Sequence, residues 1–286
     1  MSAIEPGNSG KPTPGRSGLL LTALLLLALG LGVVLWRNDN DRSGGDSGVP
    51  IAQSSGGGTF SGDQTRAIER IVKDYLVAHP ELLLEMQGAL EAKMAREEAE
   101  KTKGLVQSYA KELYRKADDP VAGNPNGDIT VVEFFDYNCG YCKRGFGGIA
   151  KLIESDKNVR FVFKDLPIIR DESEGASRVA LAAKRQGKYW EVHQALIKSK
   201  GTVNEAEALK AAEKLGLDMA KLKADTASAE VKSEIEGVKA LAQKMGINGT
   251  PHFLVGDKAI GGAPENLFEI LEEHVAELRK TGCAYC

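Results

Sequence analysis

Two cysteines three positions apart, Cys139 and Cys142, constrain this chain more than any other feature. Residues 129–136 read Ile-Thr-Val-Val-Glu-Phe-Phe-Asp, a β-branched and aromatic run that predicts a strand, and residues 143–154 have helical character. Residues 159–164 predict a second strand, so the cysteine pair lies at the turn of a β-α-β unit. A thiol attacks a disulfide only as the thiolate, which a helix N-terminus stabilises. The pattern therefore indicates redox chemistry, with Cys139 as the nucleophile and Cys142 resolving a mixed disulfide.

Two other interpretations of the cysteine pair are weaker. Half of a structural zinc site would need a second ligand pair, which Cys283 and Cys286 could supply, but a zinc knuckle needs no buried strand before it. An inert disulfide that closes so short a loop would gain little stability from loop closure. Redox chemistry is the interpretation that the β-α-β context favours.

A second motif lies far downstream, where Pro251 stands at the entrance of the apolar strand predicted over residues 253–255. Proline lacks an N–H for the strand ladder and so belongs at a strand start or an edge. The Thr250–Pro251 bond, which follows Gly249, is a candidate for a cis peptide. An unpaired backbone edge beside the cysteines would let an extended substrate segment add as a strand. An ordinary turn proline is the alternative.

Because it carries both motifs, the chain resembles the thioredoxin-fold proteins of the DsbA type over about residues 120–280. The resemblance rests on residues 133–142, Glu-Phe-Phe-Asp-Tyr-Asn-Cys-Gly-Tyr-Cys, and on residues 249–251, Gly-Thr-Pro. It implies an α/β thioredoxin fold with an inserted helical subdomain at about residues 172–245. It also implies that the enzyme needs no cofactor beyond its own redox-active disulfide.

The resemblance assigns roles to individual residues. Cys139 would be the nucleophile, Cys139 and Cys142 would form the redox-active disulfide, and Pro251 would be cis and face the pair. Glu133, six residues before the first cysteine, would be the buried acid that exchanges a proton with Cys142. Burial on a strand covered on both faces would raise its pKa, as this role requires.

Substrate contacts are expected from the residues around the sulfur atoms, namely Gly140, Tyr141, Thr250, Pro251 and His252. Strongly oxidising relatives often carry a histidine between the cysteines, where this chain has Gly-Tyr, which favours a less oxidising couple. Gly-Tyr resembles the isomerase-type, DsbC-like relatives. The expected activity is therefore protein disulfide oxidation or isomerisation.

The N-terminal region predicts a membrane anchor. Leu19 to Trp36 contains no charged residue and would span roughly 27 Å as a helix, close to the thickness of the bilayer core. We expect residues 1–18 to be a cytoplasmic tail and residues 37–62, rich in Gly and Ser, to be a flexible linker. The protein would then be a single-pass bacterial inner-membrane protein with a periplasmic catalytic domain and a membrane redox partner. A cleaved signal peptide is the alternative.

Residues 63–119 predict a helical stalk. A narrow apolar stripe begins at Ile68, Pro80 should start a second helix, and Gly104 is expected to end or bend it. Such a stripe must pack either on the following domain or on another copy of itself. A homo-oligomer through residues 63–103 is therefore one prediction, and stalks of DsbA-like proteins related to copper tolerance (ScsC-like) look similar.

The two tail cysteines and the net charge indicate which partners the protein could bind. The tail, residues 281–286, carries Cys283 and Cys286, for which we expect a local disulfide or a free pair. Electron relay to the first cysteine pair and binding of a soft metal such as copper(I) are alternatives. The net charge of −3 lacks the basic surplus of a nucleic-acid-binding protein.

The sequence is also compatible with two other functions. A non-catalytic, stalked scaffold with a thioredoxin-like fold would carry the same sequence pattern without exchanging disulfides. A metallochaperone would act through the two tail cysteines.

Overall fold

The structure is a computed structural model, and it describes residues 60–286. In chain order these residues form helices α1 (Gly62–Ala78) and α2 (Glu81–Tyr114), strands β1 (Val121–Gly123) and β2 (Ile129–Phe135), helix α3 (Gly140–Ser155), strand β3 (Val159–Asp165), helices α4 (Ser173–Lys184), α5 (Tyr189–Ile197), α6 (Glu205–Lys214), α7 (Met219–Thr226) and α8 (Ala229–Met245), strands β4 (His252–Val255) and β5 (Lys258–Gly261), and helix α9 (Leu267–Thr281).

The N-terminal predictions fall mostly outside this range. The expected cytoplasmic tail (residues 1–18), the membrane span (residues 19–36) and nearly all of the linker (residues 37–62) lie outside the described residues. Within residues 60–286, every helix is too short or too polar to cross a bilayer.

The described strands form a five-stranded sheet in the order β1-β3-β2-β4-β5. Strands β2 and β3 are parallel, and β1, β4 and β5 each run antiparallel to their neighbours. The β2-α3-β3 unit and the β4–β5 hairpin followed by α9 make up the thioredoxin plan. Helices α4 to α8 are inserted between β3 and β4, at the position of the predicted helical subdomain.

Helices cover both faces of the sheet, so every residue of β2 and β3 is buried. One face, which carries Val131 and Phe135, belongs to a core shared with α3, α4, α5 and α9. The other face, which carries Val132 and Phe134, packs against α8 and the C-terminal part of α2. Because side chains alternate along a strand, Glu133 points toward the face covered by α3.

The end of α2 is fixed to the sheet by buried polar contacts. The Nζ atom of Lys164 lies 2.5 Å from Asp119 Oδ2 and donates to the Glu112 carbonyl at 2.6 Å. Arg160 donates to the Tyr114 carbonyl at 2.6 Å, and the Tyr114 hydroxyl donates to a carbonyl of the β4–β5 turn. The second helix of the stalk is therefore continuous with a segment that is part of the folded domain.

The predicted interruption at Gly104 is wrong, because α2 runs through it and departs from helical geometry only at Tyr109 (φ −117°, ψ 19°). A glycine weakens a helix but ends one only where the backbone needs a left-handed conformation. The kink at Tyr109 instead lies between the buried residues Val106 and Leu113, in the part of the helix that packs on the sheet. The predicted restart at Pro80 is confirmed, since α1 ends at Ala78 and α2 begins at Glu81.

The C-terminal helix ends at the opposite end of the sheet from the end of β2. Arg279 bridges Asp128, just before β2, at 2.8 Å and Asp156, just after α3, at 2.6 Å. Beyond it, Cys283 and Cys286 form a disulfide and lie half-buried against the core under α9. Of the alternatives for the tail, the local disulfide is the form found.

Substituting alanine at two glycines tests this description of the backbone. Gly104→Ala should raise the free energy of unfolding by about 0.5–1 kcal/mol, because nothing obstructs a Cβ there and alanine favours a helix. Gly123→Ala should lower it by more than about 1 kcal/mol, since Gly123 has φ +74° and an added Cβ would lie 2.6 Å from the Val159 carbonyl oxygen. Urea unfolding followed by circular dichroism measures both changes. If Gly104→Ala lowered the free energy of unfolding, the helix would be interrupted at Gly104 after all.

Candidate active site

Cys139 is the N-cap residue of α3, the position at which a helix offers unpaired N–H groups. Its backbone is extended (φ −77°, ψ 116°), and its Sγ atom accepts a hydrogen bond from the Cys142 backbone N–H at 3.2 Å. Both cysteines are free thiols, and both are buried. The turn between β2 and α3 therefore aims the first sulfur at the helix axis and places the second one turn inside the helix.

The pKa values of the two thiols are shifted in opposite directions. The Cys142 side chain, the nearby Thr250 hydroxyl and the backbone N–H groups at the start of α3 stabilise the thiolate and lower the pKa of Cys139 to about 6, although partial burial opposes them. Burial raises the pKa of Cys142, and its hydrogen bond to Cys139 and the nearby Glu133 raise it further. Near neutral pH, Cys139 is therefore largely a thiolate, the form that attacks a disulfide, and Cys142 stays protonated.

The Thr250–Pro251 peptide bond is cis, as the sequence predicted. The Cys139 Sγ atom lies 3.1 Å from the Thr250 carbonyl oxygen, to which the protonated thiol donates. The Thr250 hydroxyl is buried and has no hydrogen-bond partner among residues 60–286. The cis-proline loop and the Cys139 sulfur therefore face each other, and Thr250 brings a buried hydroxyl to the site.

Glu133 is buried, with 2% of its surface exposed, and in the sheet it lies between Phe163 and Phe253. Burial raises its pKa well above the ordinary value, and repulsion from Cys139 and Asp165 adds to the effect. The structure thus places this carboxyl beneath the cysteine pair in an apolar compartment. A carboxyl that holds its proton near neutral pH is suited to proton exchange with a thiol.

Two residues that the sequence analysis did not single out hold the cysteine turn in place. The Asp136 carboxylate accepts hydrogen bonds from the backbone of Asn138 and of the loop after β3, and from the Ser173 hydroxyl. The Asn138 side chain donates to Ser173 and to the Val203 carbonyl, and accepts from the Val203 N–H. Short polar residues that bond to the backbone two positions on are typical of turns, and this was the available signal.

The remaining predicted residues are placed as follows. Gly140 and Tyr141 are exposed at the start of α3, and Arg144 stacks over the Tyr141 ring at 4.0 Å. His252 is half-buried, and burial lowers its pKa. In the sheet it lies opposite Phe134, so its side chain shares the face turned away from α3. The predicted contact residue His252 is therefore directed away from the face of the sheet that α3 and its cysteines cover.

The Lys143 ammonium group binds carbonyl groups of the helical insertion rather than the Cys139 thiolate. Its Nζ atom donates to the carbonyls of Ser199 and Gly201 at 3.0 Å each, beyond the end of α5. Burial of the ammonium group lowers its pKa. Together with Asn138, Lys143 fastens the insertion to the two sides of the cysteine motif.

A surface groove begins beside the exposed end of the motif. It has a volume of about 720 Å³ and lies between α3 and the segment from Ala263 to Glu269. Helix α3 presents Gly147 there, while Gly145 and Gly148 allow α9 and the segment before it to approach closely. The Lys151 ammonium lies 3.7 Å from the Phe268 ring centroid at its edge.

The tail cysteines do not contribute to this site. Arg279 holds the end of α9 at the start of β2, whereas Cys139 follows the end of β2, and seven strand residues correspond to about 20 Å. Both tail sulfurs are engaged in their own disulfide. Within residues 60–286, no three His, Cys, Asp or Glu side chains are grouped to hold a metal ion.

Comparisons with known proteins agree with this geometry. The protein named disulfide bond formation protein D of Bacillus subtilis is 30% identical over 156 residues, which cover 49% of this chain and 69% of that protein. A thioredoxin-like oxidoreductase from Silicibacter pomeroyi is 44% identical, with a TM-score of 0.57 over 59% of this chain and 97% of that one. A linker-deletion mutant of Proteus mirabilis ScsC is 25% identical, with a TM-score of 0.59 over 79% of this chain and 100% of that one.

Other curated relatives are much longer proteins. The chain spans about a quarter of the length of several sodium/proton antiporters that it matches. For NhaA 1 of Salinispora arenicola the match is 29% identical over 151 residues and covers 22% of that protein.

Two family profiles match separate parts of the chain. The profile of the copper resistance protein ScsC N-terminal domain matches residues 64–97, within the predicted stalk. The profile of the DSBA-like thioredoxin domain matches residues 130–273, half of the chain, including the cysteine pair, the helical insertion and the cis-proline. The chain therefore belongs to the DsbA-like thioredoxin domain family.

Proposed function

We propose that this protein is a thiol–disulfide oxidoreductase that exchanges disulfides with substrate proteins through Cys139 and Cys142. The observation that carries the proposal is the position of the Cys139 thiol, at the N-cap of α3 and 3.1 Å from the carbonyl oxygen before a cis-proline, where its pKa is lowered. A buried structural thiol would have no reason to be held as an anion.

In the reducing direction, the Cys139 thiolate attacks one sulfur of a substrate disulfide, and the other substrate sulfur leaves as a thiolate. Cys142 then loses its proton to the Glu133 carboxylate and attacks Cys139 Sγ. The bond from Cys139 to the substrate breaks, the Cys139–Cys142 disulfide forms, and the second substrate thiolate leaves. The two electrons pass from the enzyme dithiol to the substrate, and the oxidising reaction is the reverse.

Extended, incompletely folded polypeptides are the proposed substrates. The backbone at Thr250 lies outside the strand ladder that begins at His252 and can pair with an added strand. Three large apolar side chains near the cysteine turn are exposed by 43% to 56%, namely Tyr141, Ile168 and Ile169. Such an apolar rim suits chains whose own apolar side chains are not yet buried.

The cellular setting remains a proposal that rests on the sequence. The apolar segment at residues 19–36 would anchor the protein in the bacterial inner membrane, with the redox domain in the periplasm and a membrane protein as its redox partner. Glycine and tyrosine between the cysteines favour a couple less oxidising than one with a histidine there. Disulfide isomerisation alongside oxidation is therefore part of the proposal.

Association through residues 63–103 is the proposed role of the stalk. Helices α1 and α2 expose many large apolar side chains, among them Ile71, Leu83, Leu84, Leu90 and Met94, each at 57% or more. Helices with an uncovered apolar stripe are stabilised when another helix packs against it. A second copy of the chain is the proposed occupant.

Removing each cysteine in turn tests the exchange reaction. Cys142→Ser should accumulate mixed disulfides with substrate proteins, because the resolving thiol is gone, and Cys139→Ser should abolish insulin reduction. Non-reducing gels and mass spectrometry detect the trapped species. The matched control, Cys283→Ser with Cys286→Ser, should keep activity. If Cys142→Ser trapped no partner, the scaffold interpretation would be favoured. Full activity of Cys139→Ser would refute the assignment of Cys139 as the nucleophile.

The acidity of Cys139 is a second prediction. Alkylation of this thiol by iodoacetamide should reach half of its maximal rate near pH 6 in the wild-type protein. Thr250→Val removes one hydroxyl donor at nearly constant volume and should raise the pKa by about one, the effect of a charge-assisted hydrogen bond. Thr130→Val, at another buried threonine of the sheet, is the matched control and should change nothing.

The same acidity governs stability. Because the pKa of Cys139 is lower in the folded protein than in the unfolded chain, the reduced protein should gain unfolding free energy as the pH rises from about 6 to 9 and lose it on acidification. Cys139→Ser should abolish this part of the pH dependence. A wild-type alkylation midpoint near 9.0, the ordinary value, would contradict the assignment.

The stalk is tested by paired substitutions on opposite faces of α2. Leu83→Glu with Leu90→Glu places charges on the apolar stripe and should reduce the mass measured by light scattering on the full chain to that of a monomer. Ala92→Glu with Ala99→Glu adds the same charges on the opposite face of the helix and should leave the mass unchanged. A wild-type protein that is itself monomeric would refute the proposal.

A further inference from the structure

A second buried carboxyl lies beside Glu133, at the last residue of β3. Asp165 is opposite Phe135 in the parallel β2–β3 ladder, and Glu133 is opposite Phe163. Residues two apart on a strand share a face, so both carboxyls point toward the core under α3, on adjacent strands. Asp165 is 1% exposed. The reaction described above uses Glu133 and gives Asp165 no role.

The contacts of Asp165 connect it to the protein surface. One oxygen, Oδ2, accepts the Tyr189 hydroxyl at 2.9 Å, and the other, Oδ1, has no partner among the described residues. The Ser177 hydroxyl on α4 adjoins this carboxyl, is buried, and likewise has no hydrogen-bond partner within residues 60–286. Farther out, Lys184 and Glu234 form an ion pair at 2.8 Å in which each side chain is 21% exposed.

Ionisable groups from every neighbouring element surround this carboxyl. They are Glu133 on β2, Tyr137 after β2, Lys184 on α4, Tyr189 on α5 and Glu234 on α8; Cys139 and Cys142 adjoin Glu133, and His193 adjoins the two tyrosines. Of these, His193 is buried among aromatic rings with its pKa lowered to about 3, and both tyrosines have raised pKa values. Lys184 is therefore the one cation of the group, and it lies at the rim.

Two carboxylates in one apolar compartment repel each other, so their protons are coupled. Burial raises the pKa of Asp165 to about 7, while Glu133 is raised by burial and by Asp165 itself. Repulsion therefore disfavours the state in which both carboxyls are ionised. When Asp165 holds the proton, Glu133 is free to ionise.

We propose that Asp165 is a positioning residue for thiol–disulfide exchange. It carries a proton in place of Glu133 while Glu133 acts as the base toward Cys142. It then releases a proton to solvent past Ser177 and the Lys184–Glu234 pair. The inference rests on the proposed function. The Cys142 thiol gives its proton to the Glu133 carboxylate as its sulfur attacks Cys139. Both carboxyls then carry protons, and Asp165 loses one to water. One proton leaves the compartment for each disulfide formed in the enzyme.

Asp165→Asn tests this assignment, because it keeps an oxygen for the Tyr189 hydroxyl and removes the charge and the proton site. The measurement is the single-turnover rate at which Cys142 resolves a mixed disulfide with a disulfide-bonded peptide, followed against pH by acid quenching and mass spectrometry. In the wild-type protein the rate should rise through two coupled ionisations. In the variant it should rise through one, with its midpoint lower by about one pH unit, since Glu133 then ionises without a neighbouring charge.

Controls separate this role from a structural one. Asp171→Asn, at an exposed carboxyl of the following loop, should reproduce the wild-type profile. Tyr189→Phe removes only the donor to Asp165 and should shift the midpoint in the same direction by less, which keeps the test available if Asp165→Asn does not fold. Carbon-13 NMR of labelled carboxyls, assigned with Glu133→Gln, should show the Glu133 titration moving to lower pH in Asp165→Asn without any substrate.

The outcomes distinguish the two proposals. If the wild-type protein forms no mixed disulfide, the exchange function fails. If it forms and resolves one, but Asp165→Asn keeps both ionisations and the wild-type midpoint, the role of Asp165 is overturned while the exchange function stands.

Discussion

The hydrogen bond from the Cys142 backbone N–H to the sulfur of Cys139 is the interaction on which the site depends. It exists because β2 ends in a turn that makes Cys139 the first, non-helical residue of α3. Asp136 and Asn138 determine the shape of that turn, and they also fasten the helical insertion beside it. The acidity of one thiol is therefore tied to the packing of two subdomains.

The core of the site could be predicted from the sequence because its signals are local. The strand before Cys139, the cysteine spacing, and the proline at the start of an apolar strand each specify backbone conformation within a few residues. Burial of Glu133 followed from its position between Val132 and Phe134 on a strand with no polar face.

The missed features depend on contacts between distant parts of the chain. Asp165 adjoins Glu133 only through the pairing of β2 with β3, and the orientation of His252 depends on the register of β4 against β2. The continuity of α2 through Gly104 was mispredicted because its end is set by docking to the sheet rather than by glycine. Residue types alone do not specify the register between strands, and this register determines which side chains of neighbouring strands are in contact.

The bridge from Arg279 to Asp128 and Asp156 has a consequence for the far end of the molecule. It braces the root of β2 against the end of α3, the two elements whose opposite ends carry the sulfur atoms. The arginine lowers the pKa of both carboxyls, so the brace persists at neutral pH and dissolves in strong acid, when those carboxyls take up protons. The strand and the helix would then pivot more freely, so the alignment of the reactive end depends on an ion-pair cluster at the far end of β2 as well as on its own contacts.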